Sequence, residues 1–241
     1  KTGANYNIDD QHNVFANAGY ISKAPRFSNV FDNNNELYRD IQNELVKAIE
    51  FGYSFRSSQF SLNANVYNTV WKNKPVNGGT TVLIDDIPYR ANINGMDALH
   101  KGIEIDWALK IKPITIEWMC SLGDWAWTSK DTARFYDDEG NPVLNDNGNP
   151  ELVPFDARGV HVGDAAQTQF ALSIRWDITK NSWIKVRRSY YDKHFADFEP
   201  TSLEGETAQM ESWILPKYNL YNLHAGHKIT INKLMSIRIN F

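Results

Sequence analysis

The stretch Phe60-Ser61-Leu62-Asn63-Ala64-Asn65-Val66-Tyr67-Asn68-Thr69-Val70-Trp71 decides the fold. Phe60, Leu62, Ala64 and Val66 alternate with Ser61, Asn63, Asn65, Tyr67 and Thr69. Successive side chains of a β-strand point to opposite faces, so this is a strand with one apolar and one polar side. The same period of two extends in both directions. Residues 45–56 set Ile49, Phe51, Tyr53 and Phe55 against Ala48, Glu50, Gly52, Ser54 and Arg56. Residues 102–111 set Ile103, Ile105, Trp107, Leu109 and Ile111 against Glu104, Asp106 and Lys110. Residues 114–127 begin with Ile114, Ile116, Trp118, Cys120 and Leu122 against Thr115, Glu117 and Ser121. Residues 167–177 set Phe170, Leu172, Ile174 and Trp176 against Gln167, Gln169, Ser173, Arg175 and Asp177. Fainter versions lie at 13–21, 183–191, 218–229 and 234–241, and a short strand is expected over 1–8.

The pattern predicts about ten strands. Many run to 10 residues or more, beyond the roughly 5 to 6 of globular strands and close to the 9 to 11 tilted residues that cross a bilayer. The connections alternate in length. Short ones fall near 9–12, 57–59, 111–114, 179–182 and 230–233, and long ones near 23–44, 73–98, 129–165 and 197–217. Short turns on one side and long loops on the other are the arrangement of an antiparallel, up-and-down transmembrane β-barrel wall. A soluble sandwich also has hairpins, but little reason to sort them so strictly. Its apolar faces would have to meet across a second sheet.

Composition bounds the function. A mean hydropathy of -0.50 suits a soluble protein or a membrane barrel, since only alternate barrel residues must be apolar. The 13% aromatic content, with 8 Trp, suits interfacial girdles or a packed aromatic core. No stretch of 18 apolar residues occurs, so no transmembrane helix is expected. The net charge is -4 without a long basic run, which argues against nucleic acid as a partner. Cys120 is the single cysteine, so neither an intrachain disulfide nor a cysteine metal cluster can form. Lys1-Thr2-Gly3-Ala4 leads straight into strand sequence with no signal peptide, and the chain is expected to be a fragment.

Five segments resemble the C-terminal barrel half of TonB-dependent receptors, particularly those of Bacteroidetes. They are Gly19-Tyr20-Ile21-Ser22-Lys23-Ala24-Pro25-Arg26-Phe27-Ser28-Asn29-Val30-Phe31, Glu50-Phe51-Gly52-Tyr53, Asn65-Val66-Tyr67-Asn68-Thr69-Val70-Trp71, the run from Ala91 to Asp106 ending Gly102-Ile103-Glu104-Ile105-Asp106, and Ser121-Leu122-Gly123-Asp124-Trp125-Ala126-Trp127. Each is moderately specific, and their order and spacing over 13–127 are strong. The family's plug domain, TonB box and a late segment near the end have no counterpart, so residues 1–241 are expected to be a partial barrel domain lacking the plug and the last strands. The resemblance implies a barrel of roughly 22 strands with a plugged lumen, of which this chain supplies a little under half.

No nucleophile elbow, HExxH or P-loop is present, and an enzyme is not expected. No cofactor or metal site is expected either. His224 and His227 are three apart, on opposite faces of a strand, and are poor co-ligands. Asp138-Glu139-Gly140-Asn141-Pro142 and Asp146-Asn147-Gly148-Asn149-Pro150 lack the ligand spacing of an EF-hand and read as turns of a hairpin excursion. Glu50, Glu104 and Asp106 lie between apolar neighbours, and their parity turns them towards a lumen. Lys23, Arg26 and Arg90, beside long loops, and Trp71, Trp125 and Trp127, at strand ends, are the ligand-contact candidates. The ordinary readings are solvated loop charge for the cations and girdle or strand packing for the tryptophans.

The resemblance implies import of a ligand across the Gram-negative outer membrane. Energy would arrive from the TonB complex through the missing N-terminal region, with membrane lipid around the wall. A ferric siderophore or other metal chelate is the leading ligand class. The alternatives are glycan import of the starch-utilisation type and, outside this class, a soluble sugar-binding β-sandwich.

Overall fold

All the alternating stretches become strands. The computed structural model describes residues 1–25, 30, 42–74, 81–84, 87–93, 95–137, 141–230 and 236–240. In chain order the strands are β1 (Thr2–Asn7), β2 (His12–Lys23), β3 (Glu44–Arg56), β4 (Phe60–Lys74), β5 (Thr81–Ile84), β6 (Ile87–Asn92), β7 (Met96–Ile111) and β8 (Ile114–Trp127). They continue as β9 (Lys130–Tyr136), β10 (Leu152–Asp156), β11 (Ala166–Asp177), β12 (Ser182–Phe195), β13 (Ile214–Leu215), β14 (Tyr218–Thr230) and β15 (Ser236–Asn240).

One large antiparallel sheet runs β1-β2-β3-β4-β7-β8-β11-β12-β14-β15, with β13 added to β12 near the long-connection end. This is the expected meander, because each long strand pairs with the long strands nearest it in sequence. Among the described residues the path is open, and its edge strands β1 and β15 do not pair with each other. The short turns are built locally. Asp9 Oδ1 accepts the backbone N–H groups of Gln11 and His12 at 2.8 and 2.7 Å, and Thr179 Oγ1 accepts those of Asn181 and Ser182 at 3.1 and 3.0 Å.

Register carries the period of two across the wall. Tyr53, Ala64, Ile105, Cys120 and Phe170 form one cross-strand row, and Phe55, Leu62, Trp107, Trp118 and Leu172 form the next. On the same face a chain of rings joins His12, Phe55, Phe60, Trp107 and Trp118 at centroid spacings of 4.8 to 6.2 Å. This run follows the short-turn half of the strands, where an interfacial aromatic girdle would lie. None of Phe51, Tyr53, Phe55, Ile103, Ile105, Trp107, Phe170, Leu172 and Ile174 is buried, and Phe51 is 55% exposed. Among the described residues no second sheet faces them, so the sandwich alternative is overturned.

The buried core lies elsewhere, at the long-connection end. β5, β6, β9 and β10 form a second sheet in the order β10-β9-β6-β5. Met96, Ala98 and Trp127, at strand ends of the large sheet, pack with Ala133, Phe135, Phe155, Val160 and Leu203 from the connections. The reading of 73–98 as a loop, and of 129–165 as a loop carrying only a hairpin excursion, is corrected here. Three connections meet in a cap with its own core, because the pairing of Arg90 with Tyr136 brings a hairpin of one against a strand of another. The turn at 146–150 is the expected hairpin tip, with Asn145 Oδ1 accepting the N–H groups of Asn147 and Asn149 at 3.0 and 3.1 Å. Residues 138–140 of its companion lie outside the described residues.

Candidate functional site

The face opposite the apolar rows is polar and laterally cross-linked. The Asn65 side-chain amide donates to Glu50 Oε1 and to Glu104 Oε2, each at 3.2 Å. Asn17 reaches the other oxygen of Glu50 at 3.2 Å. Asn63 donates to Asp106 Oδ2 at 2.9 Å and accepts from Ser54 Oγ at 2.9 Å. Glu50, Glu104 and Asp106 therefore share one face, joined through the asparagines of β4, the strand between them. Further along the wall, Glu117 accepts from Ser173 Oγ at 2.8 Å and pairs with Lys185.

Aromatic rings on this face lie flat over glycines directly opposite them. Phe15 covers Gly52, Tyr67 covers Gly102 and Trp183 covers Gly226. At Gly102 a Cβ would stand 2.5 Å from Tyr67 Oη and 2.7 Å from the Leu122 carbonyl oxygen, so only glycine admits the ring.

Towards the long connections the polar face ends in an aromatic rim. His100 lies between Trp71 and Trp125 at centroid distances of 6.1 and 5.7 Å. Trp125 Nε1 donates to Tyr67 Oη at 2.8 Å. Beyond Trp71 the ladder with β7 is broken by a bulge between Trp71 and Lys74, with Asn73 at φ 53. Facing it, Gly95 at φ 148 lies so close that a Cβ would meet the Asn73 backbone at 2.7 Å. The extra residue reverses strand parity. Lys74 is thereby carried to the polar side, where its Nζ sits 5.1 Å from the ring centroids of both Trp71 and Trp127, a double cation–π contact.

The sequence candidates divide accordingly. Trp71, Trp125 and Trp127 come together. Trp127 is 6% exposed and packs edge-on against Phe198, so its ring belongs to the cap core, whereas Trp71 and Trp125 are half-buried. Lys23 forms an ion pair with Glu44 at 3.2 Å. The backbone of Arg90 pairs with Thr81 and Tyr136 in the second sheet, and its side chain lies outside the described residues. Arg26 also lies outside them. Sequence reasoning missed Lys74 and His100. His100 shares parity with Glu104, which is a usable signal, but the bulge that turns Lys74 has none. The strand register sets His224 opposite Lys185 and His227 opposite Ser182, on opposite faces. Among the described residues no group of three or more His, Cys, Asp or Glu lies together.

Long antiparallel strands, one bare apolar face, one hydrogen-bonded polar face and all bulky connections at one end define the wall of an outer-membrane type of β-barrel. The family model described as "TonB dependent receptor-like, beta-barrel" matches residues 1–241, and the chain belongs to that family. No curated protein sequence matches it. Among solved structures it is similar to the FrpB iron transporter from Neisseria meningitidis (F3-3 variant), with 14% identity and a TM-score of 0.59 over 94% of this chain and 30% of that one. It is similar to the copper transporter OprC, with 10% identity and a TM-score of 0.62 over 95% and 31%. It also resembles the siderophore receptor PirA from Acinetobacter baumannii, with 15% identity and a TM-score of 0.59 over 98% and 35%. At these identities the likeness is one of fold, and the chain spans about a third of each of these proteins' length.

Proposed function

We propose that residues 1–241 form part of the barrel wall of a TonB-dependent outer-membrane receptor that imports a metal chelate, with a ferric siderophore as the leading ligand. The observation that carries the reading is the pairing of a bare apolar face with a polar face that ends in the rim of Trp71, Lys74, His100 and Trp125. The apolar face suits lipid. The polar face suits a wet, plug-filled lumen of a barrel of roughly 22 strands. The long-connection end faces outward and the short turns face the periplasm. Ligand meets the rim and the cap from outside, and TonB supplies energy through a plug domain encoded upstream. The chelate class is supported by the names of similar folds, which include an iron transporter, a siderophore receptor and a copper transporter.

The receptor acts as a transporter rather than an enzyme in this reading. Intrinsic tryptophan fluorescence of the full-length receptor, titrated with ferric chelates and with oligosaccharides, tests it. Saturable quenching by a ferric chelate, weakened tenfold or more in Trp125→Ala, is expected. Quenching by an oligosaccharide alone would transfer the assignment to glycan import. A tonB deletion should abolish uptake while leaving binding intact.

A further inference from the structure

The short-turn end of the polar face holds a cavity of about 660 Å³. Lys112, Arg175, Asp177, Lys180, Trp183 and Lys228 are among the residues lining it. Arg175 and Trp183 belong to the polar face by register, opposite Lys185 and Gly226, and Lys228 lies two residues beyond Gly226 on the same face. The cavity is open on one side, and its floor is ordered by a side-chain stack. The Arg175 guanidinium stacks on the Trp183 ring at 4.4 Å and is fixed by Asp177, with Nε donating at 2.9 Å and Nη2 at 2.8 Å. The Asp177 N–H donates to the Pro113 carbonyl at 2.9 Å, and that of Lys228 to the Asn181 carbonyl at 2.8 Å, so both neighbouring turns are tied to the cavity wall.

Charge is strongly one-sided here. Among the described residues Asp177 is the one carboxylate in the lining, and it is already engaged by Arg175. Among the described residues, Lys112, Lys180 and Lys228 form no ion pair. They are also spread out. Lys112 follows β7 and Lys180 follows β11, with β8 between those strands, so neighbouring strand spacings set them roughly 10 Å apart. A single small oxyanion cannot answer cations so distributed, whereas carboxylates spaced along a chain can.

We propose that this cavity receives an acidic stretch of polypeptide at the periplasmic mouth of the lumen. The proposal rests on the barrel-wall reading above. The docked stretch presents successive Asp or Glu carboxylates to Lys112, Lys180 and Lys228, while the Arg175–Trp183 stack supplies a rigid floor.

A zero-length carbodiimide, which joins amines only to carboxylates in contact, tests this on outer membranes carrying the full-length receptor, with the links mapped by mass spectrometry. The expected result is that at least two of Lys112, Lys180 and Lys228 join carboxylates of one continuous acidic stretch. The joint variant Lys112→Gln, Lys180→Gln and Lys228→Gln should lose that adduct and keep heat-modifiable mobility. The proposal is overturned if these lysines stay unlinked, or link only to Asp177, in a receptor that is heat-modifiable. It is also overturned if inorganic phosphate abolishes the links when chloride at equal ionic strength does not, since the cavity would then be a small-anion site. If the unmodified receptor shows no heat-modifiable mobility, it is the barrel-wall reading that fails.

Discussion

Ile105 and Asp106 are adjacent in sequence and meet different surroundings. Ile105 lies in the apolar row between Ala64 and Cys120, and Asp106 accepts the Asn63 amide on the other face. Ile105→Asp would put a carboxylate into hydrocarbon at a cost on the order of 1–3 kcal/mol and should sharply lower the heat-modifiable fraction of the full-length receptor on gels. Asp106→Asn keeps a polar group beside Asn63 and should leave that fraction unchanged. Equal loss in both would show that the two positions do not face different solvents. Gly102→Leu tests the flat packing of rings. Tyr67 can swing away from the new Cβ, but the Leu122 carbonyl cannot. We expect a loss of about 1–3 kcal/mol, as for other overpacked sites, and a tryptophan emission shift as Trp125 Nε1 loses Tyr67 Oη. An unshifted spectrum would mean that the ring does not depend on the glycine.

Strands and cap differ in what writes them. The long strands were legible because each needs one continuous apolar face, and a one-residue slip would turn that face to the wrong side. Parity alone sets Glu50, Glu104 and Asp106 on one face. The cap was not legible. β5 and β10 are 4 and 5 residues long, too short for a period to stand out, and β6 meets β9 only through pairing of distant segments. Lys74 escaped because a bulge overrides parity. Within the cap, Asp156 is held well below the ordinary carboxylate range, first by the Arg158 guanidinium and then by the Gln209 amide. A depressed folded-state pKa gives stability that is complete above the unfolded value of about 3.9 and is lost as pH falls through the lower folded value. Cap residues should therefore stay resistant to an acid-active protease at pH 5 and become cleavable in stronger acid, whereas Asp156→Asn should show little further change over the same range. Phe155→Ala should open the cap at neutral pH, with a cavity cost of about 3–5 kcal/mol. Unchanged proteolysis would show that the connections do not share a core.

At the scale of the whole molecule the governing feature is the open path from β1 to β15. Unpaired edges cannot stand in lipid, so residues 1–241 expressed alone should show no heat-modifiable band, and the full-length receptor should show one. A folded band from the isolated chain would mean that it closes in some other way. The cap adds a consequence about time. Every wall contact joins long strands that are consecutive once the cap strands are set aside, so the wall can grow strand by strand in chain order. The cap obeys a different schedule. Its core needs Met96, Phe135, Phe155 and Leu203 together, and Leu203 is supplied only by the connection that follows β12. Two connections can pair through β6 and β9 and pack together before β11 is laid down, whereas the third closes the core through Leu203 only after β12. The cap therefore keeps the clock of assembly, and its protease resistance dates how far the wall has grown.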